Sequence, residues 1–165
     1  LFPYTTLFRS ILRLKYRLGL FDNPYVDEGK SEFYTQASLA AAQQAAEESA
    51  VLLKNNGILP LENKMNSKPM ILVCGPLADQ QKEQLGTWIF DGEPQHSVTP
   101  LMAFRELESK GEIKLLFEEG LTYSRDKNTA HFSKVVQKAR QADAILFFAG
   151  EEAILSGEAD RKSVV

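Results

Sequence analysis

The feature that most constrains the fold is a series of three short apolar runs in the second half of the chain. They are MILVCG at residues 70–75, IKLLFEEG at residues 113–120 and AILFFAGE at residues 144–151. Each has the length and composition of a strand that is buried on both faces. Residues 129–141, before the third run, are a predicted helix. Its apolar stripe consists of Phe132, Val135, Val136 and Ala139. This order implies right-handed crossovers and a mostly parallel sheet flanked by helices, so the predicted fold class is α/β.

The first half of the chain contains two further predicted helices. Residues 11–21, ILRLKYRLGLF, read as the last turns of a helix that ends near Gly19. Residues 22–34 are polar, have no period and contain turn formers, which is typical of an inter-domain linker. A helix follows with Thr35 as its N-cap, and Asn-Asn-Gly at residues 55–57 provides its stop. Its helical spacing is carried by Leu39, Ala42, Ala46, Ala50 and Leu53.

The two ends of the chain have a common oddity. Residues 160–165 can be back-translated as GAT CGG AAG AGC GTC GTG, and the reverse complement of this DNA reads through codons for residues 4–10, YTTLFRS. The same DNA element in opposite orientations resembles a sequencing-library adapter. We therefore expect residues 1–10 and 160–165 to be foreign to the gene, and we exclude them from fold reasoning.

Composition narrows the partners of the chain. The 165 residues are 44% apolar and 25% charged, which is ordinary for one globular domain. A formal charge of −3 provides no basic stripe for phosphates, so we expect no nucleic acid partner. The longest apolar run, AILFFA at residues 144–149, is far shorter than the roughly 20 residues of a membrane-spanning helix, so we expect no membrane insertion.

No cofactor or metal is expected either. The two histidines and the single cysteine, which are His96, His131 and Cys74, fit no metal-ligand spacing. GPLAD, which follows the first strand, lacks the glycine pattern and the lysine of a phosphate-binding loop. No serine stands in a nucleophile-elbow context. With these sites excluded, the remaining candidates for a catalytic group are carboxylate side chains.

In a parallel sheet, ligands bind beyond the carboxyl ends of the strands, so the loops after Cys74 and after Ala149 are the candidate site. These loops contain Trp88, in LGTWIFDG, and Glu158, in SGEA. Trp88 is either a stacking platform for a sugar or an aromatic side chain that fills the sheet edge. Glu158 is either a solvated loop residue or a catalytic carboxyl group.

Five blocks of the sequence, in order, together resemble glycoside hydrolase family 3 in its β-glucosidase branch. They are LRLKYRLGLFDNPY, AAEESAVLLKNNGILPL, ILVCGPLAD, GTWIFDG and AGEEAILSGEA. The resemblance covers residues 11–159. It implies that residues 11–21 are the last helix of a (β/α) barrel domain, and that residues 35–159 are the first part of a C-terminal α/β sandwich domain.

The family hydrolyses β-linked sugars with retention, using a barrel aspartate as nucleophile and a sandwich-domain glutamate as acid/base. By resemblance the acid/base is Glu158, Trp88 is a wall of the leaving-group subsite, and Glu151 has a structural role. Arg161 also fits the family pattern, but it lies in the segment expected to be foreign and gives no support. The implied partners are a β-linked glucoside or xyloside and the barrel domain of the same polypeptide, and the implied location is periplasmic or extracellular in a bacterium.

Two other classes of protein remain open as alternatives for this sequence. One is a non-catalytic α/β domain that binds carbohydrate or supports a barrel. The other is a flavodoxin-like nucleotide-binding module, which rests on the order of strands and helices alone.

Overall fold

The computed structural model describes residues 4–26, 29, 32–61 and 68–156. The chain divides into two compact units, Leu1–Lys54 and Asn55–Val165, and each is described by itself. The expected domain boundary at residue 35 lies inside the first unit, and this boundary stays a proposal.

The first unit begins with helix α1, Tyr4–Arg17. It ends in a Schellman motif, in which the Gly19 N–H donates to the Tyr16 carbonyl at 3.0 Å and the Leu20 N–H donates to the Lys15 carbonyl at 3.0 Å. Gly19 has a φ of 70°, which confirms the predicted stop. The helix starts earlier than residue 11, within the segment expected to be foreign, because no glycine or proline interrupts residues 4–10.

The second helix of this unit, α2, spans Gln36–Ser49. Its N-cap is Thr35, as predicted, and the Thr35 Oγ1 accepts a hydrogen bond from the Ser38 N–H at 3.1 Å. The predicted continuation to Leu53 is wrong, because Ala50 already has extended dihedral angles. The Ser49 hydroxyl donates to the Ala46 carbonyl at 2.7 Å, a local bond that competes with the next helical turn.

The second unit contains a parallel sheet of three strands, β1 (Met70–Cys74), β2 (Lys114–Glu118) and β3 (Ala144–Phe147). Their spatial order is β2-β1-β3, with Met70 opposite Lys114 and Ile71 opposite Ala144. All three strands lie within the predicted runs. The α/β fold class is therefore confirmed.

Two helices connect the strands. Helix α4, Phe132–Ala139, joins β2 to β3 and lies within the predicted range of residues 129–141. Helix α3, Pro100–Ser109, joins β1 to β2 and was not predicted. Its signal was Thr99-Pro100, an N-cap followed by proline at the first helical position. Thr99 is fully buried, and its hydroxyl donates to the Asp79 carboxylate at 2.7 Å and accepts from the Met102 N–H at 3.1 Å.

The main core lies on the face of the sheet that packs against α3. Its buried members are Ile71, Val73, Ala78, Leu101, Ile113 and Ala144. Leu72 and Cys74 point to the opposite face and are also buried. On that opposite face the edge strand β3 is less covered, since Ile145 is 52% exposed and Phe147 is 63% exposed.

The carboxyl ends of β1 and β3 are locked together around Gly75. The Phe148 N–H donates to the Cys74 carbonyl at 2.8 Å, and the Leu77 N–H donates to the Phe148 carbonyl at 3.2 Å. Gly75 has a φ of 104°, and a Cβ atom at this position would overlap the carbonyl group of Phe148. This close approach fixes the point at which the chain leaves β3 and enters the loop of the candidate site.

Candidate active site

The loop after β3 leads toward the predicted acid/base. Glu158 itself lies outside the described residues, and the description of this loop ends at Ser156, two positions before it. A single turn of 3-10 helix, Ala153–Leu155, precedes Ser156.

Both backbone groups of Ala153 are held by side chains from one short segment, residues 83–87. The Ala153 N–H donates to the Glu83 Oε2 at 2.6 Å, and the Thr87 Oγ1 donates to the Ala153 carbonyl at 2.8 Å. The Thr87 Oγ1 also lies 3.0 Å from the Ser156 Oγ, at hydrogen-bonding distance. We call these four residues, Glu83, Thr87, Ala153 and Ser156, the loop clamp.

A second anchor holds the same loop through Glu152. The side chain of Glu152 is only 15% exposed, the Ser124 hydroxyl donates to its Oε2 at 2.6 Å, and the Arg125 Nε lies 3.9 Å from that oxygen. Its neighbour Glu151 is exposed. Glu152 is therefore the residue of this pair that anchors the loop to another segment, and the structural role that the resemblance implies for Glu151 stays a prediction.

Trp88, the predicted wall of the leaving-group subsite, directly follows Thr87 of the loop clamp. Its side chain is 67% exposed, so it does not fill the sheet edge as a buried aromatic residue would. Phe90 is 89% exposed and forms a pair with Trp88, with ring centroids 6.1 Å apart and planes tilted by 53°. Sequence reasoning missed Phe90, although the W-x-F spacing was a signal. Exposed aromatic rings offer apolar faces on which a sugar ring can stack.

A separate cavity of about 260 Å³ lies between α4 and the carboxyl ends of the strands. Its lining includes Cys74, Glu119, Phe132 and Phe147, but neither Trp88 nor a residue of the loop clamp. Burial raises the pKa of the Glu119 carboxyl group, and the nearby negative charge of Asp79 acts in the same direction.

The preceding residue, Glu118, is the last of β2 and has the opposite electrostatic surroundings. The Lys138 Nζ donates to the Glu118 Oε2 at 2.8 Å, and the His131 Nδ1 lies 3.5 Å from the Glu118 Oε1. The hydrogen bond from Lys138 lowers the pKa of Glu118 below its usual range. Glu118 therefore fastens α4 to the end of β2.

The described part of the chain has neither a candidate metal centre nor a candidate membrane-spanning helix. Residues 4–26, 29, 32–61 and 68–156 contain no cluster of three or more histidine, cysteine, aspartate or glutamate side chains that could hold a metal ion. No helix within those residues combines the length and the hydropathy needed to cross a bilayer.

A parallel sheet flanked by helices defines an α/β domain, and the loops beyond the carboxyl ends of its strands are where ligands bind in such folds. Residues 50–165 match the family described as "Glycosyl hydrolase family 3 C-terminal domain". The chain belongs to this family, as the resemblance predicted.

Relatives and solved structures agree with this assignment. The chain is 30% identical to a periplasmic β-glucosidase of Salmonella typhimurium over 94% of its own length and 23% of that protein's, and 31% identical to an exo-1,4-β-xylosidase of Aspergillus oryzae over 96% and 19%. It matches the crystal structure of a Listeria innocua β-glucosidase in complex with glucose with a TM-score of 0.70 and 29% identity, over 90% of this chain and 19% of that one. The chain thus spans about a fifth of the length of the curated relatives it matches.

Proposed function

We propose that this chain supplies the acid/base glutamate, Glu158, and one wall of the leaving-group subsite, Trp88, to a retaining exo-acting β-glycosidase. The observation that carries the proposal is the hydrogen bonding of Thr87, the residue before Trp88, to Ala153 and at Ser156, shortly before Glu158. The two candidate residues thus belong to segments that are bonded to each other.

The chemistry requires a second carboxyl group from elsewhere. In retaining enzymes two carboxyl groups stand about 5–5.5 Å apart, one attacking the anomeric carbon while the other first donates and then accepts a proton. We propose that the nucleophile comes from a barrel domain of the same polypeptide, with residues 11–21 as that domain's last helix and residues 22–34 as the linker. Closure of the two domains would exclude water around Glu158 and raise its pKa into the range that an acid catalyst needs.

The substrate class follows from the relatives. They are named as β-glucosidases and exo-β-xylosidases, so we propose a β-linked glucoside or xyloside as substrate. The named location of the Salmonella relative favours the periplasm.

The test is Glu158→Ala in the full-length protein that contains this chain. Substrates with poor leaving groups should lose about 10²–10⁴-fold in rate, because they need general acid catalysis. The first step on a dinitrophenyl glucoside should survive, and the glycosyl-enzyme should then accumulate because water lacks its base. Azide needs no base, so it should restore turnover and give a β-glycosyl azide.

The matched control is Glu151→Ala, which removes an exposed carboxylate from the same loop. It should show neither the leaving-group dependence nor the azide product. Equal losses on all substrates in the Glu158 variant, with no rescue by azide, would assign the acid/base to another residue.

The exposed Trp88 and Phe90 rings favour a second candidate, a domain that binds carbohydrate without catalysis. Trp88 is the single tryptophan of the chain, so its fluorescence can be titrated with glucose or xylose directly. A full-length protein that binds sugar but lacks a nucleophilic aspartate would favour this candidate over the enzyme.

A further inference from the structure

We infer that Thr87 and Glu83 are positioning residues for Glu158, and that they act through the backbone of Ala153. The inference rests on the proposed function, since it assigns a purpose to the loop clamp only if Glu158 is the acid/base. It goes further by naming two residues that touch neither the sugar nor the reacting atoms.

The geometry of Ala153 is the first step of the argument. A backbone residue has one N–H donor and one C=O acceptor, and in Ala153 both are bonded to side chains that lie some 70 positions earlier in the chain. The Ala153 carbonyl also accepts from the Ser156 N–H at 3.2 Å, which closes the single helical turn. The bond to Glu83 is charge-assisted and short, at 2.6 Å, and such bonds are roughly twice as strong as neutral ones. With both groups held, the peptide planes on either side of Ala153 have little freedom to rotate.

The second step is the position of the clamp along the loop. The chain leaves the sheet at Phe148, is anchored once at Glu152, and is then held at Ala153 and Ser156. The clamp is therefore the last anchor that the described residues provide before Glu158. A catalytic carboxyl group must be held within about 0.5 Å of its productive position, which a loop achieves only with such support.

The third step is the coupling to Trp88. Because Thr87 precedes Trp88 directly, the hydroxyl that holds Ala153 also holds the segment that carries the leaving-group wall. Glycosidic oxygen and aglycone leave together, so the proton donor and the wall must keep a constant spacing. The Thr87 hydroxyl group therefore links the segment that carries Trp88 to the loop that leads to Glu158.

The experiment compares Thr87→Val with Thr87→Ser in the full-length enzyme. Valine keeps the shape of threonine but removes the hydroxyl, whereas serine retains it. Thr87→Val should lower kcat about 10–100-fold on alkyl β-glucosides, by weakening the contribution of general acid catalysis, and should change the first step on a dinitrophenyl glucoside far less. Thr87→Ser should recover most of the loss, and Glu83→Gln should show the same leaving-group pattern as the valine variant.

Ser109→Ala is the matched control. The Ser109 hydroxyl donates to the Glu106 carbonyl at 2.7 Å, so this variant also removes one hydrogen bond from a hydroxyl group to a backbone carbonyl, but at the end of α3 and outside both anchors of the loop. Its activity should match that of the unaltered enzyme on every substrate. In the chain itself, hydrogen exchange of the Ala153 amide should be faster in Thr87→Val and in Glu83→Gln, and unchanged in Ser109→Ala.

Three outcomes are distinguishable. The inference is supported if Thr87→Val loses activity selectively on substrates with poor leaving groups and the Ala153 amide exchanges its hydrogen faster. If Thr87→Val loses the same fraction of activity on all substrates, or loses none, the inference is overturned. In that case a leaving-group dependence in Glu158→Ala still upholds the proposed function. Absence of that dependence in Glu158→Ala overturns the proposed function and the inference with it.

Discussion

Glu118 and Glu119 are neighbours in the sequence, but their carboxyl groups have opposite surroundings. Successive side chains of a strand point to opposite faces, and only Glu118 meets the ammonium group of Lys138. The pKa of Glu118 is lowered chiefly by that hydrogen bond, whereas the pKa of Glu119 is raised chiefly by burial. The two residues should therefore contribute to stability with opposite signs.

We predict that Glu118→Gln lowers the free energy of unfolding at pH 7 by about 1 kcal/mol, the size expected for a partly buried ion pair. Because the folded-state pKa of Glu118 is depressed, its contribution is present above the unfolded pKa of about 4.3 and is lost as pH falls through the folded pKa. Urea unfolding of dilute chain at pH 7 and near pH 3 checks this, since the difference from the unaltered chain should vanish in acid.

Glu119→Gln is the matched variant, and its effect should have the opposite sign. A raised folded-state pKa means that the carboxyl group favours folding below its unfolded pKa and opposes it once the pH exceeds the folded pKa. The variant should therefore be at least as stable as the unaltered chain at pH 7. The side chain of Gln80 forms a hydrogen bond with Glu119 that lowers its pKa and so opposes the effect of burial. If Glu119→Gln lowers the free energy of unfolding at pH 7 as much as Glu118→Gln does, this hydrogen bond outweighs the cost of burial.

At this scale the sequence predicted residue types better than contacts. Trp88 was singled out because it is an indole in a glycine-bracketed loop, but its role in a leaving-group subsite came from the resemblance alone and stays a prediction. Thr87 and Glu83 were not singled out, because their partner lies about 70 positions away and no local pattern reports such a bond. Glu151 and Glu152 could not be distinguished either, since only the fold determines which one faces Ser124.

At the scale of elements, the junction between β1 and β3 depends on Gly75. We predict that Gly75→Ala costs about 2–4 kcal/mol, part of it from the positive φ and part from overlap with the Phe148 carbonyl group. Thermal unfolding followed by circular dichroism measures the loss.

Gly111→Ala separates the two contributions. Gly111 also has a positive φ, of 80°, but a Cβ atom there would meet nothing within 4 Å. This variant should lose only the backbone part, about 1–2 kcal/mol. Equal losses in the two variants would mean that the β1–β3 junction relaxes around a methyl group.

The strands were predictable because each is a short apolar run without interruption. The predicted burial on both faces fits β1, but it is wrong for β3, which exposes Ile145 and Phe147 on one face. The end of α2 was not predictable, because the alanine-rich pattern continues past Ser49 while a side-chain hydrogen bond ends the helix. Helix α3 was missed for a different reason. Its cap and its proline, which together are a helix start, were not singled out in the sequence.

At the scale of the whole molecule, one face of the sheet exposes a group of apolar side chains. Ile145, Phe147, Phe132 and Val136, on β3 and α4, are between 44% and 63% exposed. Exposed apolar patches beside a sheet edge favour association. We predict that the chain self-associates at tens of micromolar and that Ile145→Lys reduces this, measured by sedimentation equilibrium.

Val98→Lys is the control, because Val98 is 63% exposed but lies on neither β3 nor α4. It adds the same charge and should leave association unchanged. If both variants reduce association equally, net charge and not this face governs it.

The family was predictable from five short blocks because their order and spacing are specific, whereas the sheet alone fits many functions. The relation between the two proposed catalytic carboxyl groups was not, because the proposed function takes the nucleophile from residues outside this sequence. The arrangement of the two carboxyl groups therefore remains part of the proposed function.

The central place of β1 also affects how the chain is made. Residue 71 pairs with residue 144, a separation of 144 − 71 = 73 residues, so β1 lacks its second partner until β3 has been synthesised. At about 5–20 residues per second, the run MILVC waits roughly 4–15 s on the ribosome with an unpaired edge. Contacts of such separation also form slowly after release. We therefore expect that nascent β1 needs a chaperone, and that slower translation would lower the yield of folded protein.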